Sequence, residues 1–286
     1  MKLSEYDVTQ TYTASVVSSE RITDESTAEV RHIVLHVPDA NFFYYEGQSI
    51  GVLAPGLEIF GNRDHMRLYS IASARSGEAD NFAEFSICVR RCDYIDEVSG
   101  ERFPGVASNY LCDLAPGDQV RITGPYGRQF VAPRDPSANL LMIGVGTGIA
   151  PFRAFIKHIY EDRREWHGQV RLFFGARTGL DLLYMNDENG DIANYYDRET
   201  FKAFEALSPR PHFDEPPSID EAIAAHGAEV WDLMLAPKTY VYLSGLTQLE
   251  RTFDKAMVRL AGSAEEWEAK KAELIADGRW ATLFYS

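Results

Sequence analysis

Two short runs of this 286-residue chain carry side chains and turns that could do chemistry. Arg67-Leu-Tyr69-Ser70-Ile-Ala-Ser73 sets a cation, an aromatic ring and a hydroxyl along a β-type run. Gly144-Val-Gly146-Thr147-Gly148-Ile-Ala-Pro151 is a glycine turn after the apolar run Leu140–Ile143. Its glycines let main chain approach a pyrophosphate closely, and Pro151 has the fixed φ that suits the first turn of a helix whose amides and dipole attract an anion. The third glycine comes one residue early for the full G-x-G-x-x-G fingerprint, so the turn alone leaves a nucleotide site and a plain tight turn both open. Together the two runs read as two nucleotide sites. A flavin would sit in the first half and a nicotinamide nucleotide in the second, with hydride passing between them.

These runs must be held by two different kinds of scaffold. From about Tyr12 to Val131 the chain reads as closely spaced β-runs broken by Gly and Pro, among them Val30–Val37, Ser49–Leu53, Phe85–Arg90 and Gln119–Thr123, which predicts an antiparallel β-barrel. His32 and His36 share one face of such a strand and are read as structural. After Pro133-Arg-Asp-Pro136 apolar strands alternate with helical runs: Leu140–Ile143, a helix over Phe152–Tyr160, Val170–Phe174 and Thr239–Leu243. That alternation predicts a doubly wound parallel α/β sheet. The expected domains are 1–135 and 136–286.

Composition excludes other classes. The net charge is −15, and residues 1–136 hold 12 basic and 20 acidic side chains, so −8 lies in the first part and −7 in the rest. Neither part has the basic field nucleic acid demands. No run is apolar enough to span a bilayer and the first residues lack a signal-peptide core, so a cytoplasmic protein without a membrane partner is expected. Three cysteines, Cys88, Cys92 and Cys112, are too few for a disulfide framework and one short of a four-thiolate cluster. No metal site is expected, and any iron–sulfur centre would belong to a partner.

Several motifs stand in order: Arg67-Leu-Tyr-Ser, Gly105-Val-Ala-Ser-Asn-Tyr-Leu-Cys-Asp-Leu114, Gly124-Pro-Tyr-Gly127, Gly144 to Arg153, Phe174-Gly-Ala-Arg177 and Tyr242-Leu-Ser-Gly-Leu246. In this order they resemble the plant-type ferredoxin–NADP reductase family over most of residues 30–286. Within it, the wording is most similar to the flavoprotein part of the reductase serving a bacterial benzoyl-CoA epoxidase. The resemblance implies a FAD-binding β-barrel followed by an NAD(P)-binding domain. It also implies hydride transfer from NAD(P)H to FAD, or the reverse, with single electrons passing to a ferredoxin or an oxygenase component.

Carried over residue by residue, the resemblance puts Arg67 on the FAD pyrophosphate, Tyr69 against the isoalloxazine and Ser70 near its N5. Cys88, Val89, Arg90 and Tyr94 fall on the adenosine side, and Val106, Ala107 and Ser108 on the phosphates. For the dinucleotide it implies Gly146, Thr147, Gly148, Pro151, Arg177, Ser208, Arg210, Gly245 and Leu246. Ser244 and Tyr285 lie beside the reacting rings, with Phe284 as the alternative terminal cover. Three departures from the family pattern stand out: Ser244 replaces a cysteine, Leu283 replaces an acidic residue, and Ser208-Pro-Arg210 is spaced differently. With Asp214 and Glu215 nearby and Ser218 in place of a tyrosine, NADH and NADPH are both expected candidates. Two alternative readings are a turnover-impaired flavin- and nucleotide-binding interaction protein and a free-flavin reductase.

Overall fold

The structure, a computed structural model, describes residues 6–56, 64–78, 81–95, 98–163, 165–207 and 219–285. It divides into two compact units, Met1–Val131 with Arg153–His158, and Ala132–Phe152 with Ile159–Ser286.

The first unit is built from β1 (Thr11–Arg21), β2 (Val30–His36), β3 (Ser49–Pro55), β4 (Asp64–Ser70), β5 (Glu84–Arg90), the hairpin β6 (Asp93–Ile95) and β7 (Arg102–Pro104), the helix α1 (Val106–Asp113) and β8 (Gln119–Tyr126). Alternation decides which side faces in: along β1, Tyr12, Ala14 and Val16 are buried and their neighbours are not. Six strands form one antiparallel sheet in the order β4-β3-β8-β1-β2-β5. Its two edge strands meet just beyond β4, where Ile71 bridges to Ile87 and the Ala72 amide donates to the Ser86 carbonyl at 2.8 Å. The sheet thereby closes around a core that includes Ile33, Leu35, Ile50, Phe85 and Ile87, and α1 packs against β3, β4 and β5 through Leu111 and Cys112.

Charge is buried at this closure. Arg153, 4% exposed, donates from Nη1 to Glu78 Oε1 at 2.7 Å, and His32 Nε2 lies 3.6 Å from the same carboxylate. Burial raises the Glu78 pKa, but the Arg153 guanidinium, then His32 and the Ser86 hydroxyl, outweigh it and pull the group down to about 2. Burial, reinforced by Arg153 and Lys157 and opposed by Glu78, takes His32 down to about 3, so the imidazole is neutral.

The second unit contains β9 (Asn139–Val145), the start of α2 (Ala150–Lys157), β10 (Val170–Ala176), β11 (Phe201–Leu207), α3 (Ile219–Ala225), α4 (Gly227–Leu235), β12 (Thr239–Leu246), α5 (Gln248–Ala261), α6 (Ala264–Ala276) and β13 (Trp280–Tyr285). All five strands run parallel, in the order β11-β10-β9-β12-β13. The wholly apolar run Leu140–Ile143 in β9 follows from this. Leu141 and Ile143 join the core made with α3, α5 and α6, while Leu140 and Met142 on the other face are equally buried. The sequence predicts a helix through Tyr160, but α2 ends at Lys157. A wider π-type turn follows over His158–Arg163, beginning where His158 Nδ1 meets the buried Glu46 carboxylate at 3.2 Å. Among the described residues no helix is long and apolar enough to cross a membrane.

Because the folded-state pKa of His32 lies below its unfolded value of 6.5, the unfolded chain takes up the extra proton first. This contribution to stability is complete above pH 6.5 and is lost as pH falls toward 3; that of Glu78 is lost only below its unfolded value of 4.5. The variant His32→Gln should therefore show a pH slope of unfolding free energy between 6.5 and 4.5 shallower by up to about 1.4 kcal/mol per pH unit, one proton's worth. Denaturant unfolding at a series of pH values measures it.

Candidate active site

In the first unit, the elements beside the barrel closure bring the first motif together with α1. Strand β4 presents Arg67 exposed, donating from Nη1 to the Met66 carbonyl at 3.2 Å, and leaves Tyr69 and Ser70 half-buried. The Tyr69 ring packs on the barrel core. Burial, with the nearby Cys112 and Cys92 thiols, pushes its phenol well above the usual range, so it stays un-ionised. Cys88 and Val89 are buried in β5 with Val89 in the core, whereas Arg90 is exposed. Tyr94, on the β6–β7 hairpin, is 58% exposed.

Val106 and Ala107 open α1 behind Gly105, whose cap carries no side-chain hydrogen bond to the first amides. The Ser108 hydroxyl is already engaged: it accepts from the Cys92 amide at 3.2 Å. An exposed fork-shaped cation, an aromatic ring standing in solvent and helix amides without a side-chain acceptor fit a flavin dinucleotide with a charged pyrophosphate.

Sequence reading missed what holds this arrangement. Arg91 donates to Glu29 at 2.7 Å, to Asn109 at 2.9 Å and to Asp113 at 2.8 Å, tying α1 to the strand that carries Arg90. The double Arg90-Arg91 was the available signal. Arg90 at the end of β5 is exposed, and Arg91 just beyond the strand turns toward acids distant in sequence.

In the second unit, strand order reverses between β9 and β12, the topological switch point where ligands of open parallel sheets bind. Both strand ends carry predicted residues. Gly144 pairs with Ser244, and Ser244 with Leu283. After β9 a short 3₁₀ turn, Gly146–Ile149, leads into α2. It lies so close to β12 that a Cβ on Gly148 would stand 2.3 Å from the Ser244 carbonyl oxygen and 2.8 Å from the Gly245 nitrogen. The Ser244 hydroxyl is buried, at 1% exposure for the residue, and finds no hydrogen-bond partner among the described residues.

Tyr285 reaches the same turn from β13. Its hydroxyl accepts from the Gly148 amide at 3.1 Å and from Thr147 Oγ1 at 3.0 Å, and donates to the Val145 carbonyl at 3.1 Å. The phenolic oxygen thus holds an acceptor position on the glycine turn. Phe284 packs instead against the core. Leu246 and Arg177 are exposed at the ends of their strands, and Pro151 is buried in α2. Ser208, Arg210, Asp214, Glu215 and Ser218 lie outside the described residues. Close-packed amides, an unpartnered buried hydroxyl and an occupied acceptor position fit a nucleotide.

The two units correspond to two family models: an oxidoreductase FAD-binding domain matches residues 14–130, and an oxidoreductase NAD-binding domain matches residues 142–255. The chain is therefore a flavin- and pyridine-nucleotide-dependent oxidoreductase. A ferredoxin–NADP reductase from Thermosynechococcus vestitus is 37% identical over 273 residues, covering 93% of this chain and 70% of that protein. The leaf isozyme 1 reductase of Arabidopsis thaliana chloroplasts is 36% identical over 281 residues, 96% of this chain and 77% of its own length. The chain belongs to the ferredoxin–NADP reductase family. A solved ferredoxin–NADP+ reductase of Plasmodium falciparum with 2'P-AMP shares the fold, with a TM-score of 0.75 at 19% identity over 98% of each chain.

Two substitutions test the crevice by titration of the purified protein with NAD+ and NADP+. Gly148→Ala should weaken binding at least about tenfold, since its Cβ would meet main chain that cannot step aside. Tyr285→Phe removes a hydroxyl that competes for the Gly148 amide and should tighten binding by up to about tenfold, the scale of one neutral hydrogen bond.

Proposed function

We propose that this protein transfers hydride between NAD(P)H and FAD and passes single electrons to or from a ferredoxin, with an oxygenase component as the other acceptor of the same chemistry. The observation that carries the reading is the switch-point crevice, where the glycine turn lies on Ser244-Gly245 beneath the Tyr285 hydroxyl. Relatives named ferredoxin–NADP reductase at 35–37% identity support ferredoxin as the partner. Three cysteines in the sequence, too few for a disulfide framework, agree with a reducing, cytoplasmic location.

FAD, when bound, supplies the conversion between two-electron nicotinamide chemistry and one-electron delivery. Around it, Arg67 neutralises the pyrophosphate, Tyr69 offers a neutral stacking face, and Ser70 holds a hydroxyl at the reacting edge. Tyr94 stacks on the adenine, flanked by the main chain of Cys88 and Val89 and the guanidinium of Arg90; the amides of Val106, Ala107 and Ser108 face the phosphates.

On the other side Gly146, Thr147, Gly148 and Pro151 cradle the dinucleotide pyrophosphate, Gly245 and Leu246 flank the nicotinamide, and Arg177, Ser208 and Arg210 bind the adenosine end. The Ser244 hydroxyl gains a partner only when the nicotinamide enters, so its hydrogen bond favours the bound state. Tyr285 must leave the turn for this to happen. With leucine at 283, the carboxylate that the family resemblance implies at that position is missing, and the residues act by alignment and exclusion of water.

Anaerobic stopped-flow mixing with NADH and NADPH in parallel should bleach the flavin with at least one of them, and reduction of ferredoxin should follow. Reduction of oxygen or added free flavin alone would refute the assignment. Ser244→Ala should leave unfolding stability unchanged or raise it by about 1 kcal/mol, because an unpartnered buried hydroxyl is removed, while KM for the nicotinamide rises.

A further inference from the structure

One buried cation lies outside the roles assigned above. Arg153 sits in the apolar run Ile149-Ala-Pro-Phe-Arg-Ala-Phe-Ile156, five residues beyond Gly148, yet its segment Arg153–His158 belongs to the barrel unit. Its Nη1 donates to the Ala72 carbonyl at 2.9 Å, to Glu78 Oε1 at 2.7 Å and to Ser86 Oγ at 3.4 Å. Ala72 is two residues beyond Ser70. It is also the residue whose amide reaches Ser86 and joins β4 to β5.

The stretch after Ser70 is fastened with unusual density. The Ile71 amide donates to the Gln48 carbonyl at 2.9 Å, and the Ser86 amide donates to Ser73 Oγ at 3.0 Å. The Arg75 amide and guanidinium both reach the buried Glu46 carboxylate, at 2.8–3.0 Å. The same carboxylate meets His158, at the far end of the segment that carries Arg153. One short piece of chain therefore grips Ile71–Glu78 at two points, each time through a carboxylate, Glu46 fully buried and Glu78 mostly so.

We propose that Arg153 is a positioning residue for the flavin: by joining the Ala72 carbonyl to Glu78 it closes the barrel beside Ser70 and sets the register of the Arg67–Ser70 strand against the ring. The inference rests on the reading of Arg67–Ser70 as the flavin site. Without the guanidinium, the buried Ala72 carbonyl loses this donor and, among the described residues, the Glu78 carboxylate keeps only the Ser86 hydroxyl and the neutral His32, so the closure is weakened where the flavin motif ends. A buried pair costs desolvation free energy that two apolar residues would not, so stability by itself is a poor reason for it.

The test uses the purified holoprotein and three variants: Arg153→Lys, which keeps the charge; Arg153→Met; and Arg153→Met with Glu78→Leu, which removes both charges and lets the core repack. The readouts are visible circular dichroism of the bound flavin, the FAD dissociation constant by fluorescence, and the unfolding midpoint. Expected are a changed flavin spectrum and FAD binding at least about tenfold weaker in Arg153→Met, partial rescue in Arg153→Lys, and a double variant whose midpoint recovers while its flavin spectrum and affinity do not. If flavin spectrum and affinity follow the midpoint back to wild type, or never change, Arg153 is only structural and the inference is overturned. If Arg153→Met does not fold, the Lys and double variants decide the matter on the same readouts. A wild-type protein that binds no FAD would instead overturn the functional reading itself.

Discussion

The turn after β9 approaches the end of β12 so closely that no side chain fits between them, and much of the nucleotide crevice is arranged around that contact. At Gly148 a single carbon would overlap the Ser244 carbonyl. The approach follows from β9 and β12 being in-register parallel neighbours, with Gly144 and Ser244 the last pair of their ladder. It turns the Gly148 amide toward the crevice and covers the Ser244 side chain. It also leaves room for β13 to bring Tyr285 over the turn. A hydroxyl that is buried without a partner and an amide already holding an acceptor follow from one steric fact.

The barrel depends on a different kind of constraint, charge placed where water is not. Glu78, His32 and Arg153 meet at the closure, with Glu46, Arg75 and His158 close by in the same unit. An ion pair such as Lys238–Asp135, with both side chains exposed, costs little and contributes little. The buried groups are the opposite case, since each is expensive alone and acceptable only when its partners are in place. The neutral His32 beside a carboxylate follows from the same balance. Burial and the Arg153 guanidinium outweigh one nearby negative charge.

Family membership and local chemistry carry different information about this chain. Membership brings a FAD-binding and an NAD-binding domain, supported by identity over nearly the whole length. Ser244 and Leu283 then distinguish it at the crevice itself. They are register neighbours on adjacent strands, so the two departures fall side by side. The family resemblance implies a thiol and a carboxylate at these two positions, where the chain carries a hydroxyl and an aliphatic group.

Much of this was legible in the chain, because the relevant forces are local. Alternation along β1, the apolar run Leu140–Ile143 of β9 and the glycine spacing at 144–148 follow from strand periodicity and backbone freedom, which act between near neighbours. The predicted strands at Val30, Ser49, Phe85, Gln119, Val170 and Thr239 lie within β2, β3, β5, β8, β10 and β12, give or take a residue at their ends. What the sequence could not specify was pairing at long range. That Arg91 would turn toward Glu29 and Asp113, that Arg153 would grip Ala72 and Glu78, and that the Tyr285 hydroxyl would seat itself on Gly148 all depend on segments up to 137 residues apart meeting in space. A charge or a hydroxyl in a sequence looks the same whether it ends in water or in the core, and only the closed barrel and the in-register sheet decide which partner it finds.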